Sequence, residues 1–450
     1  MQLAVEGHPF IARVKALPFA EYIGYVRKVS SGYIEADGPF CTVGDICEVT
    51  CDASSVEGED SKVLAEVVSV EDNKTVLMPF KQSVPILPDS RLRVLPRNGF
   101  ASVGNAFAGR LVDSLGRALD GEGDIFSENL WPLSGKILSP LERSGHEETL
   151  ETGIRALDGL LTVGEGQRLG VFAASGVGKT TLITQLAEQI ECDRCVMCLV
   201  GERGREVEAF WTALSEQDNM DRYSCVAATS DMSAALRTRA VYQAVALAEY
   251  WREQGESVLL LIDSVTRFAM ALREIGLAAG APPTLRAYTP NVFDALPRIV
   301  ERCGGAKSGG SITAIMTILS ETDDVDDPIV EVMKSLLDGH IILSRQLAEQ
   351  GHFPAIDVTK SVSRQSDRLM SESHLRTAQD VLSMLSTYED SKVMIESGIY
   401  KVGSNKLIDK AVACMPDIAD FLQQQSREHS DFDSTVLALS QISQAGSAHA

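Results

Sequence analysis

The segment LGVFAASGVGKTTLITQL, residues 169–186, constrains this chain more than any other. An apolar run, a turn of small residues and an amphipathic run follow in the order strand, loop, helix. That order aims backbone N–H groups and a helix N-terminus at one point, which is how a chain holds phosphate. The pattern G-x-x-x-x-G-K-[ST] asks for glycine six residues before the lysine, and Ala173 stands there instead. A Cβ is penalised only where φ is positive, by about 1–2 kcal/mol, so Ala173 is tolerated if it still belongs to the strand. Ala174, Ser175, Gly176, Val177, Gly178, Lys179, Thr180 and Thr181 are therefore read as a nucleotide-binding loop. In it Lys179 reaches the β- and γ-phosphates, Thr180 ligates Mg²⁺, and Gly176 and Gly178 lie where the chain passes closest to phosphate.

Two further stretches supply carboxylates. SVLLLIDS, residues 257–264, is an apolar strand ending in Asp263, at the sheet edge where a carboxylate can hold a Mg²⁺-bound water beside the loop. The plain alternative is an aspartate that caps the next helix. GERGREVE, residues 201–208, puts Glu202 just past another strand, expected next to the P-loop strand, where it can orient water in line with the γ-phosphate. Its plain alternative is a salt bridge to Arg203 or Arg205. Glu206 and Glu208 suit the start of the next helix, where the dipole favours acids.

Around these motifs the chain reads as α/β. From about 165 to 345, near-continuous apolar strands alternate with helix-length segments, the pattern of a parallel sheet covered on both faces. Before it, residues 21–96 break into short β-like pieces (YIGYVRKV, GYIEA, DICEVTC, VLAEVVSVE, KTVLMPF) typical of a small barrel. After 366 the pattern is helical, in HLRTAQDVLSMLSTYEDSK, LIDKAVACMPDIADFLQQQ and DSTVLALSQIS, with a frayed tail QAGSAHA. The expected divisions are an N-terminal segment 1–20, a β-barrel 21–96, a core 97–365 and a helical domain 366–450.

Charge narrows the function. The net charge is −22, and residues 21–96 alone carry 13 acids against 7 bases, so a nucleic-acid-coating surface is excluded. The first residues lack the apolar core of a signal peptide, and no apolar run approaches the ~18 residues of a membrane span, so the expected location is cytoplasmic. Nine cysteines then read as free thiols. Cys192, Cys195 and Cys198 are spaced like metal ligands, as are Cys41, Cys47 and Cys51 more loosely, but RCVMCLV alternates into an apolar strand and no histidine pair lies nearby.

GEGQRLGVFAASGVGKTTL, LVGERGREV, LIDSVTRFAMALREIGLAAG, SGGSITA, LLDGHIILSRQLAEQGHFPAIDVTKSVSR and KLIDKAV together resemble the catalytic subunits of rotary-type hexameric ATPases, most closely the type III protein export ATPases. GRLVDSLGRALDG, residues 109–121, resembles that family's entry into its core. The resemblance spans about residues 21–445, and YKVGSNKLIDKAVACMPDIADFLQQ looks more like the flagellar branch than the injectisome branch. It implies a RecA-like P-loop core that hydrolyses Mg²⁺-ATP in a homohexameric ring to unload and unfold export substrates. Lys179, Glu202 and Asp263 then carry the catalytic roles, Arg364 is an arginine finger reaching a neighbouring subunit, and Phe353 stacks on adenine.

The implied partners are a stator-like regulator bound by residues 1–20, a central-stalk-like protein, chaperone–substrate complexes at the C-terminal helices and membrane proteins of an export gate. The implied place is peripheral to the inner membrane at the base of the export apparatus. PPTLRAYTPNVFDALP, residues 282–297, resembles the loop that faces the pore of the ring, and reads as a Pro-rich loop. Many flagellar relatives have glycine at Ala174 and serine at Thr180. An ATP synthase subunit and an RNA translocase are the rival readings. A chain holding both Glu202 and Arg364 makes a ring of identical copies self-sufficient, which disfavours the first, and the acidic barrel disfavours the second.

Overall fold

The computed structural model describes residues 22–50, 62–72, 74–81, 86–96, 99–127, 129–145, 148–217, 219–319 and 327–448. The N-terminal segment 1–20 and Cys51 lie outside them. The chain divides into two compact units, one chiefly of residues up to Gly99 and the other of those from Phe100 on.

The first unit is a closed antiparallel barrel in the order Ile23–Val29, Ile34–Asp37, Lys74–Pro79, Lys62–Glu71, Ile46–Thr50 and Arg91–Val94, the last strand pairing back onto the first. Alternation fills it: Ile34 with Ala36, Cys47 with Val49, and Val63, Ala65 and Val67 point inward. Five of these strands match the β-like pieces of the sequence. The sixth, RLRV, offers Leu92 to the interior with Val94 half-buried against it, too short a pattern to stand out, yet it closes the barrel.

The second unit is built on an eight-stranded sheet. Its order is Val362–Ser363, Gly339–Ile342, Arg168–Ala173, Ser311–Leu319, Ser257–Asp263, Arg194–Val200, Tyr223–Ala228 and Arg110–Val112, parallel except at the first pair. Both faces are covered, which is why its strands read as unbroken apolar runs. In the strand Ser257–Asp263, Leu259 and Leu261 join the core under the P-loop helix, while Val258, Leu260 and Ile262 join the opposite one.

Three C-terminal helices, Glu372–Glu396, Lys406–Leu422 and Phe432–Ala448, place Val381, Met384, Ile418, Phe421 and Leu439 in the core that also holds Leu182 and Leu186 of the P-loop helix. Helix continues through the predicted frayed tail as far as Ala448. The predicted loop 282–297 ends early as well: a helix runs from Pro290 to Arg302. Proline suits the first helical position, and Val292, Leu296, Ile299 and Val300 form a buried stripe. Among the described residues, no helix is long and apolar enough to cross a membrane.

Candidate active site

The strand Arg168–Ala173 ends in the loop 174–178, and the helix Lys179–Gln189 starts directly after Gly178. Ala173 keeps strand register opposite Leu319 and has no positive φ, so glycine is not required there. Gly176 and Gly178 do require it, with φ of 81° and 93°. Leu182, Ile183 and Leu186 anchor the helix by burial worth roughly 1.5–3 kcal/mol each. Its N-terminus is thereby held rigidly toward the site. Ala174 and Val177 turn inward, while Ser175, Gly176, Thr180 and Thr181 face solvent.

Strand order brings the acidic groups to this loop. Lys179 donates through Nζ to Asp263 Oδ1, and the same ammonium lies 3.8 Å from Glu202 Oε1. All three side chains are largely buried. Asp263 therefore pairs across the site and does not cap the next helix; Ser264 Oγ accepts from Arg267 N at 3.4 Å instead. Glu202 faces Lys179, and Arg203, one of the two arginines of its plain alternative, pairs with Glu206 at 3.9 Å.

Contrary to the expectation from the sequence, the strand leading to Glu202 is not next to the P-loop strand; Ser311–Leu319 and Ser257–Asp263 lie between them. The carboxylate reaches Lys179 because Gly201, at φ 69°, turns the chain there, with the stem of Arg267 packed where a Cβ would sit. Burial, chiefly, and then the charge of Asp263 push the Glu202 carboxyl up to about 7, against the opposing pull of Lys179. A carboxyl that changes charge near neutrality at a strand end facing a phosphate loop suits proton handling.

A group not singled out from the sequence completes the cluster. Thr317, on the strand between those of Lys179's loop and Asp263, donates its hydroxyl to Asp263 Oδ1 at 2.6 Å. Its only signal in the sequence was a hydroxyl in the apolar run SITAIMTIL.

Phe353 is half exposed rather than a core residue. Its ring lies 3.4 Å from where a Cβ on Gly178 would sit. With Gly178, Thr181, Gln185, Phe421 and Ile442 it lines an open cleft of about 1280 Å³ between the loop and the C-terminal helices. Arg364 is not brought to this cluster: it is exposed beside the edge strand Val362–Ser363 and donates through Nη2 to Lys334 O at 3.0 Å.

The donor set fits Mg²⁺. Thr180 and Asp263 offer hard oxygens, and among the described residues no three carboxylate, His or Cys groups gather as a cage. Such a site takes the ion together with nucleotide phosphates rather than by protein ligands alone.

Two family models match the chain: the ATP synthase alpha/beta family nucleotide-binding domain over residues 153–363, and the T3SS EscN ATPase C-terminal domain over residues 370–441. The flagellum-specific ATP synthase of Bacillus subtilis (strain 168) is 41% identical over 422 residues, 93% of this chain and 94% of that protein. The type 3 secretion system ATPase of Xanthomonas euvesicatoria is 40% identical over 421 residues, 93% of each. Among solved structures, the assembled ATPase EscN of the enteropathogenic E. coli type III secretion system superposes with a TM-score of 0.87 at 37% identity, over 93% of this chain and 100% of that one. The same ATPase in complex with its central stalk EscO superposes at 0.83 and 36% identity, with the same coverage of both chains.

Proposed function

The chain belongs to the type III export ATPases of the ATP synthase alpha/beta family, and from that premise we propose that it hydrolyses Mg²⁺-ATP in a ring of identical subunits serving flagellar protein export. The observation that carries the mechanism is the convergence of Lys179, Glu202 and Asp263 on one loop. Lys179 is held between the two carboxylates. Entering phosphates draw its ammonium away to the β- and γ-oxygens, which frees both acids. Thr180 would hold Mg²⁺ and Asp263 one of its bound waters, and the ion, when bound, would neutralise charge on the β- and γ-phosphates. Glu202 orients a water on the far side of the γ-phosphorus and takes up its proton as the bond to the bridging oxygen breaks. Phe353 stacks on adenine in the cleft beside Gly178.

Arg364 acts in trans. Exposed at the sheet edge and away from its own P-loop, it is free to enter a neighbour's site, where a guanidinium is worth about 10³–10⁵ in rate. The reading keeps 97–365 as the ATPase core and 366–450 as the helical domain that meets a central stalk and chaperone-bound substrates. Residues 1–20 then take the stator-like regulator, and the ring sits in the cytoplasm at the inner membrane beneath the export gate. The match of residues 370–441 to the EscN C-terminal model favours a second reading, an injectisome ATPase.

The test is Mg²⁺-ATP hydrolysis per chain across a wide concentration range for wild type, Glu202→Gln, Arg364→Ala and a mixture of the two variants. Activity that rises with concentration, is lost in either variant and partly returns in the mixture supports shared sites. Concentration-independent activity with Arg364→Ala still active overturns the ring of identical subunits.

A further inference from the structure

Thr317 sits in a strand whose other side chains explain themselves. Ile312, Ala314, Met316 and Ile318 fill one core and Ile315 the other, while Thr313 accepts from Gly166 N at 2.8 Å. Thr317 points to the face shared with the P-loop helix, is fully buried, and donates to Asp263 Oδ1 at 2.6 Å. A β-branched residue has few χ1 choices, so this hydroxyl oxygen is held within reach of the carboxylate. The carboxylate it meets is not fixed by its own torsion, since the terminal torsion of aspartate is broad and roughly two-fold.

We propose that Thr317 is a positioning residue that locks the Asp263 carboxylate so that Oδ2 stays presented to the Mg²⁺-bound water. The inference rests on the reading of Asp263 as the Mg²⁺-associated aspartate. Among the described residues, Oδ1 takes two donors, the Lys179 ammonium and the Thr317 hydroxyl. Once phosphates draw Lys179 away, the hydroxyl is the donor that remains on Oδ1. Losing it frees the carboxylate to rotate at the moment the ion needs it still. Thr317 thus acts on the ion and leaves the phosphate grip of the loop untouched.

The test is binding of a non-hydrolysable ATP analogue by calorimetry to the full chain, in EDTA and across a Mg²⁺ titration. The proteins are wild type, Thr317→Val, Thr317→Ala, Thr317→Ser and Asp263→Asn, each with its melting temperature. Valine keeps the shape of threonine and loses only the hydroxyl; alanine also loses bulk, so a packing fault would separate the two.

The expected result is unchanged affinity in EDTA for all three Thr317 variants. Thr317→Val and Thr317→Ala then need on the order of tenfold more Mg²⁺ for half-maximal tightening, as befits loss of a hydrogen bond to a charged group. Thr317→Ser restores the wild-type requirement. A wild-type Mg²⁺ requirement in either hydroxyl-free variant, with Asp263→Asn impaired, overturns the inference alone. A wild-type requirement in Asp263→Asn overturns the reading beneath it.

Discussion

Glu249→Ala should be among the most damaging single changes to the second unit. Glu249 and Arg302 are 0% and 1% exposed and meet through two bonds of 2.8 Å, Nε to Oε1 and Nη2 to Oε2. Trp131 Nε1 donates to the same carboxylate at 2.7 Å, and Arg302 Nη1 donates to Leu133 O at 2.8 Å. The cluster ties the helices Ala234–Glu253 and Pro290–Arg302 to the strand Asn129–Pro132. Removing the carboxylate leaves a guanidinium buried without its charge partner, a fault worth about 3–5 kcal/mol. At roughly 2.1 cal/mol/K of unfolding entropy per residue, that lowers the Tm of a unit this size by about 4–7 °C. The double variant Glu249→Leu/Arg302→Met removes both charges. It should lose less than the sum of the two single changes, because no buried charge is left unpaired; what remains is about 1–3 kcal/mol for each of the orphaned Trp131 N–H, Lys136 N–H and Leu133 carbonyl that stays dry. Scanning calorimetry of the wild type, each single variant and the double variant reads both quantities. A shift under about 1 °C in Glu249→Ala, or a double variant that falls by the sum of the singles, would refute the reasoning.

Glu202 in the nucleotide-free protein should titrate near 7 by carboxyl ¹³C NMR; Asp263→Asn should lower that midpoint, because the Asp263 charge raises it, and kcat/KM should climb with pH through the same range as the working carboxylate forms. With its folded value raised above the unfolded one, this group also favours the fold most at low pH, and that contribution fades by about pH 7, a slope that Glu202→Gln should remove. Phe353→Ala should weaken ATP binding by about 1–3 kcal/mol, the worth of a base–aromatic stack, without moving Tm, since the ring is half exposed; Phe353→Tyr should recover the loss, and unchanged affinity in Phe353→Ala would remove the ring from the site.

What was legible in the sequence follows from how local each interaction is. The P-loop could be read directly because strand, turn and helix N-terminus are contiguous, so composition and order alone specify which atoms face the phosphate. Pro290 was misread for a related reason: proline signals a loop locally, but here it opens a helix whose buried stripe becomes visible only with the core in place. Glu202 and Asp263 could be nominated as strand-end acids, but their distance from Lys179 depends on which strands lie between, and that order is a property of the whole sheet. Thr317 falls in the blind spot of such reasoning. Its hydroxyl is one atom different from valine in an apolar strand, and it matters only because the neighbouring strand ends in a carboxylate at the same level. Arg364 marks the far limit: within its own chain it donates to the Lys334 carbonyl, and the role proposed for it needs a second copy. Where the groups that give a residue its role lie on another copy of the chain, the mixing experiment can test the assignment and a single-chain assay cannot.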